Sequence, residues 1–346
     1  MLKLSGDFGT PAPIDAELHP ELPATKRLRE RGDGVSRSRE LGPLFGGYRI
    51  IERLGTRVFL VEQHDRYGAL RLLPDADPAR VANCFNTACM AGTMGHPGIA
   101  RVIDVGHGPG PFVVTELLEG ETLERRLARG PLPLALALDI ARQISDVLAA
   151  AHERGILHGA LEPRAIFLTH GKVKLLGFGA ASLRGDAMTG IDRGELPTYT
   201  APEQCRIASA FDARSDLYAL GCVLHEMIAG RPPFASESVD QLVTSHLMAS
   251  PPPLAAPTPI RKLVDSLLAK HPADRPHSAT YVTAVLDGLL AIGKARSPRP
   301  WHRLGALAIA AVAAFAMIST TYAAEQELSR KLHDVFHAAD LPSLPL

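Results

Sequence analysis

The chain has 346 residues, and its 37 Lys and Arg residues balance its 37 Asp and Glu residues, so the formal net charge is zero. This length fits one large domain with additional segments at its ends, and the balanced charge gives no support for nucleic-acid binding. The four cysteines form no C-x-x-C pair and no metal set with nearby histidines; they are Cys84, Cys89, Cys205 and Cys222. Such cysteine usage is typical of a protein in a reducing cytosol.

The first 47 residues are rich in Pro, Gly and mixed charges and show no sustained apolar periodicity. Segments of this composition cannot bury enough apolar surface to offset the entropy of ordering, so residues 1–47 are predicted to be disordered. The first ten residues contain no long apolar run, so no signal peptide is predicted.

Strand and helix patterns follow each other along the rest of the chain. Residues 48–73 alternate apolar and polar side chains and residues 111–116 are β-branched and apolar, which predicts strands. Residues 134–152 repeat apolar side chains at helical spacing, and residues 239–248, 260–268 and 279–290 are further predicted helices. Strands followed by helices are typical of an α+β fold.

Six short motifs occur in a fixed order. They are His96-Pro97-Gly98-Ile99, His158-Gly159-Ala160-Leu161-Glu162-Pro163-Arg164-Ala165, Leu175-Leu176-Gly177-Phe178-Gly179, Thr200-Ala201-Pro202-Glu203-Gln204, the segment from Asp212 to Gly221, and Lys270-His271-Pro272-Ala273-Asp274-Arg275-Pro276. Together they resemble the motifs of protein kinases, and over residues 48–290 the chain resembles the bacterial, eukaryotic-type serine/threonine kinases. The resemblance implies a bilobal fold with a β-rich N-lobe at 48–118 and a helical C-lobe at 119–290.

The resemblance also shows which chemical groups are replaced. The kinase catalytic loop is H-R-D-x-x-x-x-N, and the aspartate falls at Ala160 and the asparagine at Ala165. The aspartate of D-F-G falls at Gly177. In kinases the first aspartate accepts the substrate proton, while the asparagine and the D-F-G aspartate hold Mg²⁺. Alanine and glycine side chains can do neither, so we predict no metal site.

Other positions that handle phosphate are changed too. The lysine of V-A-I-K falls at Arg71, its glutamate partner on helix C at Thr87, and the lysine of the catalytic loop at Glu162. An arginine does not replace a lysine conservatively, because the guanidinium is longer and planar. The glycine-rich loop keeps only Gly55 and is about four residues shorter than the motif requires. These losses agree with one another and predict a pseudokinase.

Residues that hold the kinase lobes together are retained. By resemblance, His158, Phe178 and Asp216 form the internal spine and its anchor, and Glu203 and Arg275 form a buried ion pair. Removing one partner of such a pair typically costs about 3–5 kcal/mol.

A nucleotide pocket can still be traced by resemblance. Adenine would lie between Ala69 and Leu168, residues 115–118 would form the hinge, and Arg71 could meet a phosphate. The full candidate set is Gly55, Val58, Ala69, Arg71, Glu116, Leu118 and Leu168. No cofactor is required by this reading, and ATP without Mg²⁺ is left open as a ligand.

An uncharged segment follows the kinase-like region. Residues 304–324 are 21 residues without a charge, and at about 1.5 Å per residue they would span roughly 30 Å, the thickness of a bilayer core. A basic linker at 291–303 precedes this predicted transmembrane helix and a short tail at 325–346 follows it. The positive-inside rule places the kinase-like domain in the cytoplasm of a bacterial inner membrane, with the C-terminus outside. A soluble packing helix is the alternative.

The sequence therefore predicts a membrane-tethered pseudokinase that acts as a signalling scaffold or allosteric partner. Its partners would be signalling proteins, including an active kinase or a kinase substrate, and a small-residue stripe at Ala306, Ala310 and Ala314 would permit a homodimer. Two alternatives stay open. One is a serine/threonine kinase with unconventional catalytic groups, and the other is a metal-independent nucleotide sensor.

Overall fold

The computed structural model describes residues 44–183, 198–205, 212–236 and 238–295. A β-rich lobe is followed by a helical lobe, as the α+β prediction requires. The described residues up to Leu290 belong to one compact unit. Within the described ranges, no helix is long and apolar enough to cross a membrane. The predicted transmembrane segment at 304–324 lies outside them.

The small lobe is built on a six-stranded antiparallel sheet with the order β1-β2-β3-β4-β6-β5. Its strands are β1 (Leu44–Phe45), β2 (Tyr48–Arg53), β3 (Val58–Gln63), β4 (Arg66–Leu72), β5 (Val102–His107) and β6 (Pro111–Glu116). The strands predicted between 48 and 73 are confirmed, and β6 has the predicted bounds.

The register of the sheet decides which residues face the cleft between the lobes. Val61, Leu70 and Val114 are fully buried together on one face of the sheet. Val58 pairs with Arg71 in the register, and directly opposed residues share a face, whereas successive residues alternate. Val58, Ala69 and Arg71 therefore lie on the other face of the sheet.

The first strand corrects the predicted disorder boundary. Strand β1 lies inside the 1–47 range, and Phe45 pairs with Tyr48 in the ladder. The Phe45 ring also packs edge-on against Phe112, with ring centroids 5.7 Å apart. Phe45 therefore has apolar surface to bury, and the small lobe begins before residue 48.

Helix α1 (Pro78–Thr93) contacts strand β5 of this sheet and the turn Ala180–Leu183. It starts where the Asp77 side chain accepts a hydrogen bond from the Ala79 N–H, with Pro78 at the first helical position. Its buried residues are small or β-branched: Val81, Cys84, Ala88 and Ala91.

The large lobe contains six described α-helices and a three-stranded sheet. The helices are α2 (Leu123–Leu127), α3 (Leu134–His152), α4 (Ala213–Ala229), α5 (Val239–Met248), α6 (Thr258–Leu267) and α7 (Ala279–Ala295), and the strands are β7 (Glu121–Thr122), β8 (Ile166–Thr169) and β9 (Lys172–Leu175). The predicted bounds of α3 and α5 are confirmed. Helix α7 runs to Ala295, five residues past the predicted end of the domain.

Helix α4 is the buried centre of this lobe. Leu217, Leu220 and Val223 are completely inaccessible to solvent. A side chain at Gly221 would lie 2.8 Å from the Cβ of Leu267, so this glycine lets α6 approach the axis of α4 closely. The helix ends at Gly230, whose φ of 74° is the left-handed conformation that glycine adopts without strain.

The two lobes are joined by backbone and side-chain bonds near β9. The Ala100 N–H donates to the Leu175 carbonyl (3.1 Å), and the Leu175 N–H donates to the Gly98 carbonyl (2.7 Å). Lys174 Nζ donates to Glu116 Oε1 at 2.6 Å. The segment after α1 is thereby held on the large lobe.

Candidate functional site

A buried aspartate on α4 holds the segment that carries the catalytic-loop motif. Asp216 is 1% exposed. Its carboxylate accepts hydrogen bonds from the backbone N–H groups of His158 (2.9 Å) and Gly159 (2.7 Å). The Nε2 of His152 lies 2.8 Å from the same carboxylate. These bonds fix residues 158–159 on the central helix.

Gly159 can adopt the backbone conformation that its hydrogen bond to Asp216 requires. Its φ is +67°, in the left-handed region, which costs other L-residues roughly 1–2 kcal/mol. The Gly159 carbonyl accepts a further bond from Gln204 Nε2 (2.9 Å). The replacement of the motif's arginine by glycine therefore leaves a backbone that reaches Asp216 without strain.

The predicted internal spine residues lie together. His158 Nε2 donates to the Leu176 carbonyl at 3.0 Å, and its ring lies 4.7 Å from the Phe178 ring, centroid to centroid. His158 is 1% and Phe178 is 4% exposed. The loop of residues 158–165 and the Gly177-Phe178-Gly179 segment are thus tied to one another and to α4.

The predicted ion pair is present and buried. Arg275 Nη1 and Nη2 donate to the two carboxylate oxygens of Glu203 at 2.7 and 2.8 Å, and the Arg275 side chain is completely inaccessible. Ser215 Oγ donates to Glu203 Oε1 at 2.6 Å. Burial alone would raise the pKa of Glu203, but the bonds from Arg275 and Ser215 outweigh it and hold that pKa below its ordinary value.

The three positions of the proton acceptor and the metal ligands lie within this intact frame. Ala160 and Ala165 are 7% and 4% exposed. The Leu176 N–H donates to the Ala165 carbonyl at 2.8 Å, so the two segments that carry these positions are adjacent. Gly177 has a φ of +84°. None of the three side chains has an oxygen, and in the described part of the chain no group of three or more His, Cys, Asp or Glu could hold a metal ion.

Glu162 carries the reversed charge of the catalytic-loop lysine. Its carboxylate is held by Arg164 through Nε at 2.8 Å and Nη2 at 3.2 Å. Glu162 is therefore largely neutralised by a neighbour two residues away.

The turn that replaces the glycine-rich loop uses its own amides. Strands β2 and β3 are joined by four residues, 54–57. The N–H groups of Leu54 and Gly55 both donate to the Val58 carbonyl, at 2.9 and 3.0 Å. Arg53 folds over the turn and donates to the carbonyls of Gly55 and Thr56. The Leu54 and Gly55 N–H groups are thus hydrogen-bonded within the turn, whereas the N–H groups of a longer glycine-rich loop would bind phosphates.

Helix α1 packs directly on the segment that replaces D-F-G. A Cβ at Gly179 would lie 2.5 Å from the Cys84 carbonyl oxygen and 3.1 Å from the Thr87 Cβ. Leu183 is buried against Val81 and Cys84. Thr87 therefore faces this segment, and α1 carries no carboxylate that could pair with Arg71.

The nucleotide-pocket candidates come from both lobes. Val58, Ala69 and Arg71 share a face of the small-lobe sheet, Gly55 lies in the short turn, Leu118 follows the last strand of that sheet, and Leu168 is buried in β8.

Glu116, a member of this set, also links the two lobes through its hydrogen bond with Lys174. Burial would raise the pKa of Glu116, but the Arg101 N–H and Lys174 together hold it below its ordinary value.

Several residues of this site were not predicted from the sequence. They are His152, Arg164, Lys174, Gln204 and Ser215. Arg164, Gln204 and Ser215 lie within the recognised motifs, Lys174 directly precedes one, and His152 ends a predicted helix. Their partners are distant in sequence in every case except Arg164, so no local pattern points to the contacts.

Comparison with known proteins assigns the family. The model described as "Protein kinase domain" matches residues 76–285, more than half of the chain. The chain therefore belongs to the protein kinase family.

The similar curated proteins are bacterial. The chain is 33% identical over 262 residues to serine/threonine-protein kinase pkn2 of Myxococcus xanthus, covering 68% of this chain and 31% of that protein. It is 34% identical over 268 residues to serine/threonine-protein kinase PknA of Mycobacterium tuberculosis, covering 72% and 59%. A probable serine/threonine-protein kinase PknB of Corynebacterium glutamicum is 33% identical over 270 residues, covering 72% and 42%. The match thus spans less than two thirds of each of these relatives.

Proposed function

We propose that this chain is a kinase-family protein that does not transfer phosphate and that acts by binding, as a scaffold or allosteric partner of another signalling protein. The observation that carries the proposal is that the residues holding the catalytic loop are retained while its reactive residues are replaced. Asp216, His158 and Phe178 hold the catalytic frame, while Ala160 and Ala165 put methyl groups where the chemistry needs oxygens.

The size of the expected loss supports the proposal. Phosphoryl transfer depends on positioning and on neutralising charge, chiefly through Mg²⁺. A positioned general base typically contributes about 10²–10⁴-fold in rate, and Ala160 supplies none. Magnesium is held in proteins by a few oxygen ligands together with the substrate phosphates, and neither Ala165 nor Gly177 can provide one.

A working kinase is the competing proposal, and the names of the relatives favour it. Such an enzyme would need a substitute base, and Glu162 is the carboxylate nearest in sequence to Ala160. Its two oxygens are occupied by Arg164, so accepting a substrate proton would require breaking this ion pair. This bond weighs against Glu162 as the base.

A metal-independent nucleotide sensor is a third proposal. Val58, Ala69 and Arg71 form a continuous patch on one strand pair, with one permanent positive charge that could meet a phosphate. We also propose a tether: residues 304–324 have the length and lack of charge of a transmembrane helix.

Thermal unfolding of residues 44–295 with ATP separates the three proposals. A ligand that binds only the folded state at 100 times its Kd stabilises that state by about 2.7 kcal/mol. The scaffold predicts no change in Tm with ATP alone, with ATP and Mg²⁺, or with ATP and EDTA. A shift that EDTA abolishes supports the enzyme, and a shift that survives EDTA but is lost in Arg71→Ala supports the sensor.

A further inference from the structure

The segment that connects the two lobes is short and is attached at both ends to the same hairpin. It consists of residues 117–120, between the end of β6 at Glu116 and the start of β7 at Glu121. Strands β8 and β9 form the hairpin. At the large-lobe end, Glu121 pairs with Leu168 of β8. At the small-lobe end, Lys174 Nζ of β9 donates to Glu116 Oε1 at 2.6 Å.

The connecting segment also passes close to the backbone of this hairpin. Gly120 has a φ of +134°, which glycine adopts more readily than other residues. A Cβ at Gly120 would overlap the Leu168 carbonyl oxygen. The large-lobe end of the segment is therefore fixed by strand pairing and by close packing.

Strand β9 is a rigid support for Lys174. The Leu175 N–H donates to the Gly98 carbonyl, and the Leu175 carbonyl accepts from the Ala100 N–H. The next residue, Leu176, donates its N–H to the Ala165 carbonyl. These backbone bonds hold the end of the strand in place on both of its sides.

The Glu116 carboxylate is held equally firmly on the small-lobe side. Its Oε1 accepts a hydrogen bond from the Arg101 N–H at 2.9 Å, and the Glu116 N–H donates to the Arg101 carbonyl at 2.9 Å. Burial would raise the pKa of Glu116, but the bonds from Arg101 and Lys174 hold it below its ordinary value, so the carboxylate is ionised at neutral pH. The side chains of Glu116 and Lys174 are only 25% and 21% exposed, and salt screens such a partly buried pair less than an exposed one.

The Glu116–Lys174 bond is the attachment that a change in the angle between the lobes breaks first. A rotation of β6 about residues 117–120 leaves the pairing of β7 with β8 in place but moves Glu116 away from Lys174. The pairing of β7 with β8 is a backbone ladder, whereas the ion pair is one bond made by a flexible four-carbon side chain. It can therefore open and re-form without unfolding either strand.

We propose that the Glu116–Lys174 pair is a latch that fixes the angle between the two lobes. With the pair formed, the connecting segment is held at both ends and the cleft between the lobes keeps one shape. With the pair broken, the small-lobe end of the segment is released and the cleft can open. The latch does not rest on the proposed function, because it uses none of the catalytic positions and its test contains no nucleotide.

Spin labels on the two lobes measure the angle directly. The full chain with Cys89→Ser carries labels at Arg66→Cys on β4 and Lys262→Cys on α6, both exposed positions, while its three other cysteines are buried. Pulsed electron resonance then gives the distribution of distances between the labels. We expect a narrow distribution in this parent and a broader one after Lys174→Met, which keeps the aliphatic stem but removes the charge and the donor.

Hydrogen exchange measures how often the latch opens. The amides of Ala100 and Arg101 donate across the junction, but neither is adjacent to residue 174 in the chain. We expect both amides to exchange about tenfold faster in Lys174→Met than in the parent, which corresponds to about 1.4 kcal/mol. Amides in the centre of α4 should exchange as in the parent.

Two matched variants control for the substitution itself. Lys172→Met changes an exposed lysine on the same strand and should leave both measurements at the parent values. Lys174→Arg keeps a charged donor and should restore the narrow distribution. A folded Lys174→Met variant with the parent's distance distribution would overturn the proposal even if its Tm were lower, because the pair would then stabilise the fold without setting the angle. Equal broadening in Lys172→Met, or no recovery in Lys174→Arg, would also overturn it.

Discussion

At the scale of single residues, the catalytic loop lacks the reactive side chains of the kinase motif but keeps a backbone conformation that binds Asp216. Asp216 accepts two amide protons from a segment that must place residue 159 at positive φ. Glycine meets that requirement without strain. The loop is thus held for its shape, although its reactive side chains are absent.

We expect Gly159→Ala to destabilise the fold by roughly 1–2 kcal/mol, the cost of a left-handed non-glycine residue. Denaturant unfolding monitored by fluorescence measures this difference. Gly288→Ala, within α7 and with open space around the added methyl, should instead stabilise by up to about 1 kcal/mol. A Gly159→Ala variant as stable as the parent would contradict the Asp216 geometry.

Individual residues differ in how far the sequence could predict them. The resemblance to protein kinases implied the Glu203–Arg275 pair and the contact of His158 with Phe178, and both are present. It could not predict that Arg164 holds Glu162 or that Lys174 holds Glu116, because these bonds depend on side-chain rotamers and on strand placement. The absent catalytic groups can be read from the sequence, whereas the use of the Leu54 and Gly55 amides required coordinates.

At the scale of elements, the Glu203–Arg275 pair fastens the turn Pro202–Cys205 to the turn Pro272–Asp274 and its flanking residue. Arg275→Ala should cost about 3–5 kcal/mol at neutral pH, because it leaves a buried carboxylate without its partner. Arg261→Ala, at an exposed position on α6, should change little. Chemical denaturation measures both.

The cost of Arg275→Ala should depend on pH. The pKa of Glu203 is held low in the folded parent, so the pair contributes stability above the unfolded pKa of about 4.3 and loses it as the pH falls through the folded pKa. The gap between parent and variant should therefore narrow below about pH 4. A gap that is constant from pH 7 to pH 3 would show that the ionised pair is not its source.

The contact between α1 and Gly179 can be tested through a cysteine. Burial raises the pKa of the Cys84 thiol to about 11, so Cys84 should resist alkylation while the exposed Cys89 reacts. Gly179→Ala puts a methyl against the Cys84 carbonyl and should displace the helix and expose Cys84, as read by mass spectrometry after iodoacetamide. Gly95→Ala has a similar positive φ but open space, so Cys84 should stay protected there. Equal protection in both variants would mean that α1 does not rest on Gly179.

Helical and strand periodicity predicted most of these elements. The bounds of α3, α5 and β6 coincide with the predicted ranges because their apolar spacing is regular and their ends carry clear breaks. Strand β1 was not predicted, since two residues are too few for a pattern and its stability comes from Phe112, far along the chain.

At the scale of the whole molecule, the proposed tether predicts how the protein fractionates. The full chain should sediment with the inner membrane and resist carbonate extraction, because a 21-residue uncharged helix is long enough to span it. A chain ending at residue 303 should be found in the soluble fraction. A reporter that is active only in the cytoplasm, fused after Leu346, should stay silent. A bright reporter would contradict the proposed topology.

The most direct measurement is phosphate transfer from radiolabelled ATP by the full chain, with Mg²⁺ and with Mn²⁺, to itself and to a generic protein substrate. Because Ala160, Ala165 and Gly177 offer no base and no metal ligand, the label should not exceed that of an Arg71→Ala variant run in parallel. Label that the parent incorporates and the Arg71→Ala variant does not would establish catalysis at this site and contradict the proposal that the chain acts by binding alone.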